Sequence, residues 1–178
     1  EYFVMADRIM SHEETGILPV INIPQAEIAE SVAEALRDGG LNSIEVTLRS
    51  PDSLESIRII KEKYPDMTVG AGTVLSTQTV DEALKAGADF IVCPGYDEEI
   101  VDYCIAKQVQ VIPGCTSASE IQKAVKKGLK VLKFFPAELS GGLDAIKLLS
   151  GPFPNVKFIP TGGINFNNLG SYLESDKI

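Results

Sequence analysis

Short β-branched, apolar runs recur along this chain, with amphipathic stretches between them. The runs are LPVINI (18–23), SIEVTLR (43–49), TVGAGTV (68–74), DFIVCPG (89–95), QVIPGCT (110–116), VLKFF (131–135) and KFIPTGG (157–163), at a period of roughly 20 to 28 residues. That period is the length of one strand plus one returning helix. Successive strands must then run parallel, because each helix carries the chain back across the sheet. The intervening segments carry helical spacing: Ile28, Val32 and Leu36 recur on one face until Gly39-Gly40. Leu54, Ile57 and Ile60 follow Pro51, Val80 and Leu84 precede Gly87, and Ile121 and Val125 precede Gly128. Near the end, NFNNLGSYLES offers an Asn cap with Leu169 and Leu173 on one face.

Seven βα units in series admit an open doubly wound sheet or a closed barrel. The barrel is favoured, since no GxGxxG-type loop follows the first run. Polar residues also recur at the C-terminal ends of most strands, where a barrel assembles its site. The expected fold class is α/β, a (β/α)8 TIM-type barrel, forming a single domain over 1–178 with the first 15 or so residues as a lead-in. Because only seven strand runs precede Ile178, strand 8 and the C-terminal helix are expected to be missing and the end truncated.

Composition narrows the chemistry. The chain is 44% hydrophobic, enough for one sizeable core, and carries a formal net charge of -9. Such an acidic chain argues against nucleic acid as a general partner. No run approaches the ~18 apolar residues of a membrane span. Cys93, Cys104 and Cys115 are odd in number and form no CxxC pair, so they are expected to be small buried hydrophobes in a reducing cytoplasm. The only histidine is His12, which argues against a His-rich metal site and against Ser-His or Cys-His catalysis. Proton transfer is left to carboxylates, lysine, tyrosine or water.

Three stretches can carry chemistry. In EVTLR, period two puts Glu45, Thr47 and Arg49 on one face and Val46 and Leu48 on the other. The three either serve a ligand or form a structural Glu45–Arg49 pair. In VLKFF, Leu132 and Phe134 share one face, so Lys133 and Phe135 share the opposite, inward one. An ammonium in an apolar pocket loses proton affinity and becomes a nucleophile for carbonyls; the alternative is a lysine that only pairs with Glu45. GAGT (70–73) and PTGG (160–163) resemble anion-binding turns in which glycines admit backbone N–H groups and Thr73 and Thr161 add hydroxyls, although tight βα turns need glycine anyway. Pro94-Gly95 and Pro113-Gly114 shape turns at the pocket rim. The basic stretch KAVKKGLK (123–130) suits a solvated helix C-terminus.

Taken in order, PVI, EVTLR, VGAGTV, PG, IPG, LKFFPAE, GPFP and PTGGI resemble the 2-keto-3-deoxy-6-phosphogluconate (KDPG) aldolase family, whose close relatives cleave 4-hydroxy-2-oxoglutarate (KHG). The resemblance spans about Gly16 to Tyr172. It implies a metal-independent class I aldolase, an aldehyde-lyase with no cofactor beyond a covalent imine through Lys133. Glu45 would move protons and Arg49 and Thr73 would hold the pyruvyl carboxylate. Thr161, Phe135 and Pro94 would line the pocket, and Gly162 and Gly163 would supply backbone donors near the phosphate. The implied partner is a small 2-keto acid, with no nucleic acid or membrane, and the implied assembly is a cytoplasmic homotrimer. Asn22 stands where many relatives carry another residue, which is expected to shift substrate preference. A non-catalytic phosphate- or carboxylate-binding barrel, or an isomerase using Glu45 alone, is the alternative.

Overall fold

The computed structural model describes residues 16–178. His12 and the lead-in segment lie outside the described residues. The chain gathers into two compact units: the first runs to Val92 and takes up Glu99–Val111, and the second comprises Cys93–Glu98 and Ile112–Ile178.

The first unit is built on β1 (Val20–Ile21), β2 (Ser43–Thr47), β3 (Thr68–Gly72) and β4 (Phe90–Val92), with the unit boundary falling inside β5 (Gln110–Ile112). Their order in the sheet is β1-β2-β3-β4-β5. The pairings β1–β2, β2–β3 and β3–β4 are parallel, as the period demands. All five residues of β2 are buried, so both faces of this strand are covered. Helices α1 (Ala29–Asp38), α2 (Ser53–Lys63), α3 (Thr77–Lys85) and α4 (Glu98–Ala106) follow the strands in alternation. At the entry to β3, the Asp89 carboxylate accepts from the Val69 N–H at 2.8 Å and from Lys61 Nζ at 2.9 Å, tying the start of the strand to α2.

The second unit holds β6 (Val131–Phe134) and β7 (Lys157–Pro160), a parallel pair, with α5 (Ala118–Lys126), α6 (Gly142–Ser150) and α7 (Leu169–Leu173). A parallel bridge from Gly114 to Lys133 adds the segment after β5 to the edge of β6. The start of α5 carries a full capping box: the Ser117 hydroxyl accepts from the Glu120 N–H, and the Glu120 carboxylate accepts from the Ser117 N–H. Leu132 and Phe134 are fully buried, and Phe134 meets Phe158 edge to face at 6.0 Å. Such a contact adds about 0.5–1.5 kcal/mol to the area it buries.

The strand runs begin where expected or within two residues of it, but most end two to four residues early. The helix stripes also shift. In α1 the fully buried residues are Ala29 and Ala33, while Ile28 is exposed; in α5 they are Ile121 and Ala124, while Val125 is exposed. Small side chains let a helix backbone approach its neighbours closely, so alanine takes positions that a count of large apolar residues assigns elsewhere. In α7 the buried residue is Tyr172, and Leu173 is half exposed. Asn168 occupies the N-cap position of α7 without making a side-chain cap.

Cys93, Cys104 and Cys115 are free and buried, as expected. Burial pushes the Cys104 thiol up to about 11; burial, with the Glu120 charge adding to it, pushes Cys115 up to about 12. Both are therefore poor nucleophiles near neutrality. Iodoacetamide at about pH 8 should leave Cys104 and Cys115 unmodified in native protein and label both promptly in guanidinium, as read by peptide mass spectrometry.

Candidate active site

In the first unit the site grows from the register of β2 on β3. Glu45 pairs with Gly70 and Thr47 with Gly72, and paired residues on parallel strands point to the same face. Both β3 partners are glycines inside a strand, and the structure shows what replaces their side chains. A Cβ on Gly70 would overlap the Phe90 ring, and one on Gly72 would overlap the Glu45 carboxylate. GAGT is therefore strand at Gly70–Gly72, a correction to its reading as an anion-binding turn. Its glycines make room for an aromatic ring and for Glu45, which is only 1% exposed.

The ladder stops at Thr47, so Arg49 leaves the strand face on which period two places it and lies in an exposed turn. That turn is braced from below. The buried Ser53 hydroxyl donates to the Thr47 carbonyl at 2.9 Å and accepts from the Ser50 N–H at 3.2 Å. Arg49 Nε donates to Thr73 Oγ1 at 3.3 Å. Thr73 has φ 61, a left-handed backbone that a β-branched residue adopts only when its surroundings impose it. Strain of this kind costs about 1–3 kcal/mol and concentrates where side chains are held for a task.

In the second unit Lys133 sits inside β6 and is 7% exposed. Its N–H donates to the Pro113 carbonyl at 3.0 Å, its carbonyl accepts from the Cys115 N–H at 2.8 Å, and its Cα pairs with Ile159. Its Nζ lies 5.6 Å from the centre of the Phe135 ring, so lysine and phenylalanine share a face as the period requires. Gly114 has no room for a Cβ because the Pro94 carbonyl lies against its Cα. The two proline turns thus touch each other beside the lysine strand.

Past β7 the chain forms the Thr161–Gly163 turn, with φ 97 at Gly162 and 86 at Gly163. Three successive carbonyls of this turn are occupied. Thr161 O accepts from the Ala137 N–H at 2.8 Å, and Gly162 O from the Glu138 N–H at 3.1 Å. Gly163 O accepts from the side-chain amides of Asn165 at 3.1 Å and Asn168 at 3.0 Å. In a planar trans peptide the N–H points opposite to the C=O. The N–H groups of Gly162, Gly163 and Ile164 are therefore turned away from those partners, an arrangement suited to an anion. The Glu138 carboxylate accepts from the Tyr172 hydroxyl. Burial, and then that hydrogen bond, push Tyr172 up to about 12, so it remains a donor.

The structure brings Arg49 and Thr73 into one hydrogen bond, and Lys133 and Phe135 onto one face. It ties Pro94 to the lysine strand through Gly114. Sequence reasoning missed Gly72, Ser53, Glu138, Asn165, Asn168 and Tyr172. Glu138 carried a signal as the last residue of the KFFPAE stretch, Gly72 as part of GAGT, and Asn165 and Asn168 as part of the Asn-rich cap stretch. Among the described residues, no three His, Cys, Asp or Glu side chains gather as metal ligands would, and no helix is long and apolar enough to cross a membrane.

Parallel strands alternating with helices, with polar groups at the strand C-terminal ends, define an α/β chain. Residues 8–178 match the sequence family described as KDPG and KHG aldolase. The chain is 46% identical over 160 residues to a 2-dehydro-3-deoxy-phosphogluconate aldolase of Pseudomonas aeruginosa, covering 90% of this chain and 73% of that one. It is 41% identical to the KHG/KDPG aldolase of Escherichia coli K12, covering 88% and 74%. A crystal structure of the Legionella pneumophila KDPG aldolase, with pyruvate captured as a covalent carbinolamine, superposes with a TM-score of 0.87 at 39% identity, covering 90% and 78%. The chain belongs to the KDPG/KHG aldolase family, and is a carbon–carbon lyase of TIM-type barrel fold.

Gly72→Ala tests how closely Glu45 is held. The new Cβ meets the far end of a flexible side chain, so the fold should survive while the carboxylate is displaced. A shift of that size is expected to cut aldol turnover about 10²-fold. Gly70→Ala instead drives a Cβ into the buried Phe90 ring and should destabilise by about 1–3 kcal/mol. Kinetics and denaturant unfolding of both variants separate the two effects.

Proposed function

We propose that this protein is a class I aldolase that cleaves KDPG to pyruvate and glyceraldehyde 3-phosphate, and KHG to pyruvate and glyoxylate, through a Schiff base on Lys133. The observation that carries the proposal is a lysine buried in mid-strand, in a chain that matches a family of aldolases over residues 8–178.

In the proposed sequence the Lys133 amine attacks the C2 ketone, and the carbinolamine takes up a proton and loses water to give a protonated imine. Glu45 removes the C4 hydroxyl proton, through water, as the C3–C4 electron pair moves towards the imine nitrogen. The aldehyde leaves, the enamine takes at C3 the proton that Glu45 gained, and water hydrolyses the protonated imine to release pyruvate, the free amine and the proton taken up at dehydration. Arg49 and Thr73 are assigned to the pyruvyl carboxylate. The guanidinium spends one of its five donors on Thr73 and keeps a planar fork that matches a carboxylate. Phe135, Thr161 and Pro94 are assigned to the pocket wall. Gly162 and Gly163 are assigned to the phosphate, on the strength of the N–H directions that their tied carbonyls impose.

Borohydride reduction in the presence of pyruvate should add one reduced pyruvyl group to the peptide containing Lys133. An unmodified Lys133 peptide rules the mechanism out. Lys133→Ala is expected to abolish trapping and lower kcat by at least about 10³-fold, and Glu45→Gln to lower kcat by about 10²–10⁴-fold while trapping persists. The proposal includes metal independence and a homotrimer. Turnover should accordingly survive EDTA, and sedimentation should give three times the chain mass.

A further inference from the structure

Glu138 belongs to the KFFPAE motif, yet the proposed chemistry gives it no task. It follows the β6 strand and has three connections in the second unit. Its backbone N–H donates to the Gly162 carbonyl at 3.1 Å. Its Cβ and Cγ occupy the space that a side chain on Gly163 would need. Its carboxylate accepts the hydrogen bond of Tyr172, a residue 3% exposed on α7. Gly142, at the start of α6 with φ 57, leaves room for the pair: a Cβ there would come within 3.0 Å of Glu138 Oε1 and 3.1 Å of the Tyr172 oxygen.

These connections have a direction. Glu138 stands on the carbonyl side of the turn, because it is the Gly162 carbonyl that its N–H engages. By peptide planarity the Gly163 N–H then faces away from Glu138. The carboxylate is therefore behind the donors, with its charge engaged by a buried phenol, and the donors face forward. A carboxylate in front of them would repel an anionic ligand.

We propose that Glu138, braced by Tyr172, is a positioning residue that holds the Thr161–Gly163 turn with its N–H groups towards the substrate phosphate. The inference rests on the assignment of Gly162 and Gly163 to that phosphate. It predicts that Glu138 governs affinity for a phosphorylated substrate and leaves imine formation alone. Glycine with φ near 90 has other conformations open to it, so a turn released from Glu138 should lose its aim.

The test compares wild type, Glu138→Ala, Glu138→Gln and Tyr172→Phe by KDPG kinetics and by borohydride trapping of pyruvate, which carries no phosphate. Glu138→Ala should raise KM for KDPG about tenfold, the size of one lost hydrogen bond, with kcat and pyruvate trapping nearly unchanged. Glu138→Gln keeps the stem over Gly163 and an amide oxygen for Tyr172, and should restore KM. Tyr172→Phe deletes one oxygen only and should move KM in the same direction as Glu138→Ala, which covers the case of a poorly folded alanine variant. An unchanged KM in Glu138→Ala and Tyr172→Phe overturns the inference, as does a parallel loss of pyruvate trapping. A wild type that traps no pyruvate is a separate outcome: it overturns the Schiff-base reading, and this inference falls with it.

Discussion

The second unit depends on how a lysine is held in the middle of a parallel strand. Both edges of the Lys133 backbone are engaged, with Pro113 and Cys115 on one side and β7 on the other. The amine does not choose its own direction. Leu132 and Phe134 are fully buried on the opposite face, where Phe134 meets Phe158, and period two then leaves Lys133 no alternative. Burying a leucine or phenylalanine is worth about 1.5–3 kcal/mol each, and a slip of one residue would forfeit both. The apolar neighbours of the lysine are therefore what commits the strand to an inward amine.

The same periodicity made much of the architecture legible in the sequence, and the errors at the strand ends share one cause. β-Branched and apolar residues continue past the end of each hydrogen-bonded ladder, so the runs in the sequence overshoot the strands. The overshoot is where the candidate site lies. Arg49, Thr73, Pro94, Phe135, Thr161, Gly162 and Gly163 all follow the last residue of a strand, and only Glu45 and Lys133 lie within one. Residue type alone does not reveal where a ladder stops, because that depends on what the neighbouring strand offers as a partner. Hence Arg49 was assigned to a face of β2 when it belongs to a turn, whose brace, Ser53, is a serine indistinguishable in sequence from any helix-starting residue.

Glycine illustrates the limit from another side. Gly70 and Gly72 have extended backbones and are glycines because a ring and a carboxylate need their space. Gly162 and Gly163 have positive φ and are glycines because the backbone demands it. Both pairs look alike in sequence, as GAG beside a threonine and TGG. A missing side chain carries no mark of what fills its place, so the role of Phe90 and the room made for Glu45 became visible only with the fold. Glu138 was written in the motif, but its meaning depended on a tyrosine 34 residues away.

The acidic character of the chain gives these details a common purpose. With 25 Asp and Glu against 16 Lys and Arg, its surface supplies no general attraction for an anion. Under the proposed function, recognition of an anionic substrate comes from local donors, and the Thr161–Gly163 turn would supply them without adding charge. Ala137, Glu138, Asn165 and Asn168 each occupy a carbonyl of the turn, and peptide planarity turns that occupation into an N–H direction on the other side. Donors fixed in this way need little reorganisation when a ligand arrives. They also respond less to salt than an exposed lysine patch would. The groups that aim the turn lie behind it, so a carboxylate could take part in organising the proposed phosphate site.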